Sequence, residues 1–388
     1  MRRRPATQPA LPRQYNASYY DSSLPRATTK QALLHYVASA FVYGLVVLFL
    51  SVNPWFRDLL RIEFRRGYPG LLLYHWAYLA YLLIAPLYFF IVRPPSLWVS
   101  KNLRIIGYFA RLLRWSVQSP AKRTPNAWRA TYEEKHAMMF LLIKIFYGPL
   151  MINSALLAYN QIPPLLERIQ AHHTLLNFCD KGYRLFVLTV FLLDSTMGAV
   201  GYHTEAGLLR NRLRYAETNP LHILVCVMCY PPFNMATIAI LGPSNHDYYI
   251  LFAGNIRHPM TWVLRGLGVF FLSVLLATSL SLFTRAGNLS NRGIVHWGPY
   301  SIIRHPGYIA KNLFWLTTLI PAFIPSTADQ RFTWGGHLLF CSMMVLGVLG
   351  WGTMYFLRAI TEEKLLMRDP EYVAYCRKVK YRFIPGVY

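Results

Sequence analysis

Apolar runs of about twenty residues recur along this chain and limit its fold more than any other feature. A helix needs roughly that length to cross the ~30 Å hydrocarbon core of a bilayer. Inside lipid, only helices and closed barrels satisfy every backbone donor and acceptor. Such runs lie at Gln31–Val52, Gly70–Val92, Ala137–Tyr159, Tyr183–Tyr202, Leu221–Leu241 and Trp262–Phe283, followed by a pair at Asn312–Pro325 and Trp334–Leu357. Pro231-Pro232 interrupts the fifth, and Asn312–Pro325 is short enough to be half of a helical hairpin. The expected fold is an all-α, polytopic transmembrane bundle with eight spans, or seven if the short segment does not cross.

Charge agrees with that reading. Charged residues make up 14% of the chain, where a soluble protein carries about 25%. The net charge of +24 would suit a nucleic acid, but the cations sit between the apolar runs, so a bilayer is the expected partner. Arg2, Arg3, Arg4, Arg13, Arg26 and Lys30 precede the first span, and the 93–129 connection and the tail after Leu357 are also cationic. With an even number of spans these share one side, which places both termini in the cytoplasm. Arg57, Arg61, Arg65 and Arg66 break the pattern, partly offset by Asp58 and Glu63. Residues 1–30 read as a disordered basic arm, 31–261 as an N-terminal membrane region, and 262–388 as a C-terminal membrane region with a cytosolic C-terminal segment.

Within the first region, residues 97–117 form an amphipathic pattern. At 100° per residue Trp98, Ile105, Ile106, Phe109, Leu112 and Leu113 share one arc, with Lys101, Arg104, Arg111 and Arg114 opposite. Such a helix is expected to lie in the headgroup layer. The five cysteines show no disulfide or zinc spacing, and the Cys226/Cys229 pair lacks a second ligand pair; no metal is expected.

Two polar patches stand out in the last hundred residues. One runs from Gly293 to Tyr308 and contains Gly298-Pro-Tyr300 and Arg304-His-Pro-Gly-Tyr308. The other, Arg358-Ala-Ile-Thr-Glu-Glu363, emerges from the final span, and Arg382-Phe-Ile-Pro follows. Arg358 and Glu362 share a helical face. They can form a surface salt bridge, or present one cation and one anion to a ligand that carries both charges.

The ordered set G-x-Y, H-P-x-Y, a span pair, E-E and R-F-I-P resembles the isoprenylcysteine carboxyl methyltransferases and the related phospholipid N-methyltransferases over about residues 282–388. The resemblance implies an S-adenosylmethionine pocket between the last spans and the C-terminal segment. By that resemblance Arg292, Gly293, Ile294 and Val295 line the cofactor, and Tyr300, His305, Pro306, Gly307 and Tyr308 close over it. Glu362 and Glu363 belong to the cofactor site, Glu362 accepting hydrogen bonds, and Arg358 clamps the substrate. The implied substrate is a lipid or lipidated carboxylate, amine or thiol. Ala310 departs from the pattern, which usually has glycine there.

Other readings remain open. Membrane sterol and steroid reductases share a similar R-H-P-x-Y stretch and use NADPH; a non-catalytic lipid-binding membrane protein is a third class. Asp194, inside the fourth span, is a functional group or a polar contact between helices. His203 and Glu205 are expected as an interface-facing pair, and Arg265 to snorkel toward the interface. Trp297 is a cofactor wall or an interfacial anchor.

Overall fold

The structure, a computed structural model, describes residues 26–93, 100–118, 128–171, 174–205, 211, 213–235, 256, 258–319 and 334–387. Most of the basic arm, Trp98, residues 236–241 of the fifth apolar run and 320–325 of the seventh lie outside the described residues.

The chain forms α1 (Thr29–Val52), α2 (Pro54–Leu59), α3 (Leu71–Ile91), α4 (Lys101–Val117), α5 (Tyr132–Ala171) and α6 (Leu175–His203). Then come α7 (Pro220–Val227), α8 (Pro259–Leu282), α9 (Pro306–Leu319), α10 (Trp334–Leu366) and α11 (Pro370–Lys378). Among the described residues, strands are confined to two antiparallel pairs: β1 (Glu63–Arg65) with β2 (Tyr68–Pro69), and β3 (Tyr215–Ala216) with β4 (Ser290–Asn291).

Local chemistry sets the helix starts. Thr28 and Gln31 form a reciprocal capping box on α1. Helices α2, α7, α8 and α11 each begin with proline behind a capping side chain, Asn53, Asn219, His258 and Asp369 in turn. Proline suits this position because its missing N–H would be unpaired anyway.

Among the described residues, α1, α3, α5, α6, α8 and α10 are long and apolar enough to cross a membrane. Their outer faces leave Leu83, Phe270 and Leu346 uncovered by protein. The fold is an all-α bundle; six such helices lie among the described residues, against an expectation of eight spans or seven. The described part of the fifth run holds only the eight-residue α7. Helix α9 has 14 residues, a rise of ~21 Å that falls short of the hydrocarbon core. Within the described residues neither reaches the length of a simple span, and the end of each run lies outside them.

Helix α5 packs along α6, α6 along α8, and α8 along α9. Val190, Leu272, Leu275, Ala310 and Phe314 form the core at the last two contacts. Ala310 is 1% exposed there, so the methyl group that replaces the expected glycine fills core space. Arg265 does not snorkel: it is buried and its Nη2 meets Asp180 Oδ1 at 2.6 Å. A nearby carboxylate satisfies the charge inside the bundle.

Helix α4 bears out the amphipathic reading over Lys101–Val117, leaving Phe109, Leu113 and Val117 exposed. Two of its cations nevertheless pair with protein. Arg111 forks onto Glu134 at 2.8 and 2.6 Å, and Lys101 holds Glu205 at 2.7 and 2.8 Å. Glu205 is thus taken up by Lys101, while His203 Nε2 lies 3.0 Å from the Tyr74 hydroxyl.

Burial pushes the Glu205 carboxyl up, but Lys101, Lys144 and Arg292 outweigh it and hold the group below its usual range. Burial wins instead at Lys101, whose ammonium is held down despite the contact. One carboxylate shared among several cations is overcompensated while each cation is undercompensated, which accounts for both directions. Glu205 thus contributes stability that is complete above the unfolded glutamate pKa of about 4.3 and is lost as pH falls through its lower folded value. Thermal melts should lose stability with acid below that point, and Glu205→Gln should flatten this slope. An unchanged slope in the variant would remove Glu205 from the account.

Candidate active site

The ends of α6, α8 and α10, the 285–295 loop, the start of α9 and α11 enclose a cavity of about 1300 Å³ including its open mouth. Its backbone wall depends on glycine. Gly293 sits at φ 104°, in the left-handed region, and its N–H donates to Asn291 Oδ1 at 2.8 Å. Gly307 lets α9 approach α8, since a Cβ there would lie 3.1 Å from Thr278 Cγ2.

Gly293, Ile294, Val295, Tyr300, His305, Gly307, Tyr308, Arg358 and Glu362 all line this cavity. The structure thus brings together residues up to 69 positions apart in the chain, from 293 to 362. Arg292, Pro306 and Glu363 are not among the lining residues. Arg292 is buried behind the loop, its Nη1 donating to the carbonyls of Thr204 and Asn211 at 3.2 Å each. Pro306 serves as the first residue of α9.

Glu363 is the centre of a lock. It is 4% exposed and receives Arg304 Nη1 at 3.1 Å, His305 Nε2 at 3.1 Å and Arg382 Nη2 at 2.8 Å. The backbone N–H groups of Arg304 and His305 donate to the carbonyls of Tyr381 and Arg382. The R-H-P, E-E and R-F-I-P motifs therefore meet in one ion-paired knot behind the cavity. Arg214 ties the neighbouring loop to α11 through Asp369 at 2.6 Å and Glu371 at 2.7 Å.

Arg358 and Glu362 do not bond to each other. Tyr308 donates its hydroxyl to Glu362 Oε2. Arg358 Nη2 donates to Asn288 Oδ1 and, at 3.1 Å, to the Tyr230 hydroxyl. Its guanidinium also lies 4.9 Å from the Tyr308 ring centre and 5.2 Å from that of Tyr230, within cation–π range. Among the described residues this 6%-exposed cation bonds only to neutral acceptors. Leu289, next to Asn288, holds φ 55°, which costs a non-glycine residue about 1–2 kcal/mol.

Asp194 reaches the cavity from α6 and accepts from Ser279 Oγ at 2.5 Å, so it both lines the site and joins two helices. Lys311 and Arg285 line it as well. Burial raises the Tyr300 hydroxyl well above its usual pKa and keeps it a neutral donor. Trp297 lies against Arg285, with the guanidinium 5.2 Å from its ring, and is not among the lining residues.

Tyr230, Asn288 and Lys311 escaped the sequence reading. Only Lys311 carried a signal, a cation abutting an expected span. No metal-binding group of His, Cys, Asp or Glu occurs among the described residues. The chain matches no protein-family model, no curated protein and no solved structure.

Proposed function

We propose that this protein is an integral membrane methyltransferase that binds S-adenosylmethionine in the cavity and methylates a lipid or lipidated acceptor. The observation that carries the reading is the separation of Arg358 from Glu362 within one cavity. Among the described residues the buried guanidinium has no carboxylate partner and can meet negative charge on the acceptor, while the carboxylate four residues away can meet the cofactor's ammonium. Glu362 and Asp194 suit an ammonium and ribose hydroxyls, because charge-assisted hydrogen bonds are the stronger ones. The motif resemblance over residues 282–388 supports the same cofactor.

When bound, the cofactor supplies a sulfonium-activated methyl group, so the protein's work is alignment and exclusion of water. Arg358 holds the acceptor end, since its fork stays charged when desolvated. Tyr300, Tyr308 and Tyr355 wall the reacting region. The acceptor carries a carboxylate, an amine or a thiol and enters sideways from lipid, while the cofactor enters from water. In this reading both termini and the cavity mouth face the cytoplasm, and the span count rises to eight with the contributions around α7 and α9.

NADPH-dependent reduction is the second reading, favoured by Lys311, Arg285 and Arg358 along the cavity, which would suit phosphates. Calorimetric titration of the detergent-purified protein with S-adenosylhomocysteine and NADPH in parallel separates the two. We expect saturable S-adenosylhomocysteine binding that weakens about 10- to 100-fold in Glu362→Ala, from loss of a hydrogen bond to a charged group worth about 1.5–3 kcal/mol. NADPH binding alone would establish the reductase reading instead.

A further inference from the structure

A second, smaller recess adjoins the cavity, about 340 Å³ including its open mouth, with enclosed room of only about 20 Å³ for a water-sized group. Asn288, Tyr308, Arg358 and Glu362 line both, and His222 and Cys226 of α7 line the smaller one. His222 is not loosely placed. Its Nδ1 lies 2.7 Å from Glu217 Oε2, and Glu217 is 1% exposed. The other carboxylate oxygen accepts the N–H groups of Thr218 at 2.8 Å and Asn219 at 2.9 Å, with Arg368 Nη2 at 3.7 Å. Burial pushes the Glu217 carboxyl up, but His222 and the two backbone donors bring it below its usual range, so it remains ionised.

An ionised carboxylate only accepts, so Nδ1 carries the proton shared with Glu217, and Nε2 is the ring nitrogen left for another partner. Nε2 makes no hydrogen bond among the described residues. The other charged or titratable groups around this chamber are Arg358 and Glu362 from α10, Tyr308 from α9 and Cys226 from α7 itself. A carboxylate that orients an imidazole with a free nitrogen is the arrangement of a general base.

We propose that His222 is the general base of methyl transfer and Glu217 its positioning residue, so that the acceptor is a weakly acidic S–H or O–H group on an apolar chain. This rests on the methyltransferase reading. The acceptor's proton moves to His222 Nε2, and its electron pair forms the bond to the methyl carbon. The electrons of the broken carbon–sulfur bond stay on the departing sulfur. Arg358 stabilises the thiolate or phenolate as it forms. A carboxylate acceptor is already ionised and leaves a base nothing to remove, while an ammonium would add like charge beside Arg358 and Lys311.

The direct test reads proton transfer without methyl transfer. A dodecyl-substituted nitrophenol, whose phenolate absorbs in the visible, is titrated with the full-length protein in detergent. Bound probe should ionise at a pH lower by roughly 1–3 than in detergent alone. His222→Gln should remove most of that shift while S-adenosylhomocysteine binding is retained, and Glu217→Gln should reduce it partly. The Glu217 variant decides the matter if the His222 variant does not fold. With labelled cofactor, dodecanethiol or dodecylphenol should be methylated in preference to dodecanoate and dodecylamine. A probe that does not bind, ionisation unchanged in both variants, or transfer to dodecanoate, to dodecylamine or to none of the four overturns the proposal. Failure of the wild-type protein to bind S-adenosylhomocysteine refutes the cofactor reading instead, because the phenol measurement needs no cofactor.

Discussion

Glu363→Ala should destabilise the C-terminal region by about 3–5 kcal/mol, the usual cost of removing one partner from a buried ion pair. The reason lies in what it leaves behind. Arg304, His305 and Arg382 all converge on this carboxylate, and alanine strands them in a buried site. Two cationic side chains beside an imidazole then repel, and the tail that pairs with the 304–305 backbone loses its hold. Limited proteolysis followed by mass spectrometry should show early cleavage near residues 379–387 in the variant and protection in the wild type. Glu363→Gln, which keeps the shape but loses the charge, should fall between. Equal protection in wild type and Glu363→Ala would mean that the knot does not secure the tail.

Under the proposed methyltransferase function, Arg358→Ala should lower methyl transfer by roughly 10²–10³-fold, the range seen when one preorganised donor to developing charge is removed. Cofactor affinity should stay unchanged, because the hydrogen bonds of Arg358 go to Asn288 and Tyr230 and not to Glu362. Arg358→Lys restores a point charge without the planar fork and should recover only part of the rate. S-adenosylhomocysteine titration serves as the check that each variant still forms the cavity. Full turnover by Arg358→Ala on an identified acceptor would show that the guanidinium is not a clamp.

The helices were legible because apolar length is a local property. Helices α1, α3, α5, α6, α8 and α10 overlap the expected runs, although α5 continues to Ala171 and α6 begins at Leu175. The polar ends of those helices hid their true lengths. Helix α9 starts six residues before the expected Asn312, because Pro306 is a favoured first helical residue and apolarity does not report it. The cavity was legible where motifs were dense. What could not be read was direction: Glu362 and Glu363 are neighbours, yet a 100° turn of helix sends one toward the cavity and the other into the knot. Tyr230 and Asn288 were invisible for another reason, since their value comes from meeting Arg358 across 128 and 70 residues of chain. The Glu217–His222 contact spans only five residues; its importance depends on the chamber beside it.

Translation gives the knot a further meaning. A chain threads from the ribosome in order, and spanning helices enter the bilayer as they appear. The carbonyls of Tyr381 and Arg382 that secure the 304–305 backbone, and the α11 tyrosines Tyr372 and Tyr375 that line the cavity, follow the six long apolar helices of the described residues. The long apolar helices of the described residues are therefore synthesised before the segment that completes the cavity wall, so order of synthesis puts the bundle first and the cavity second.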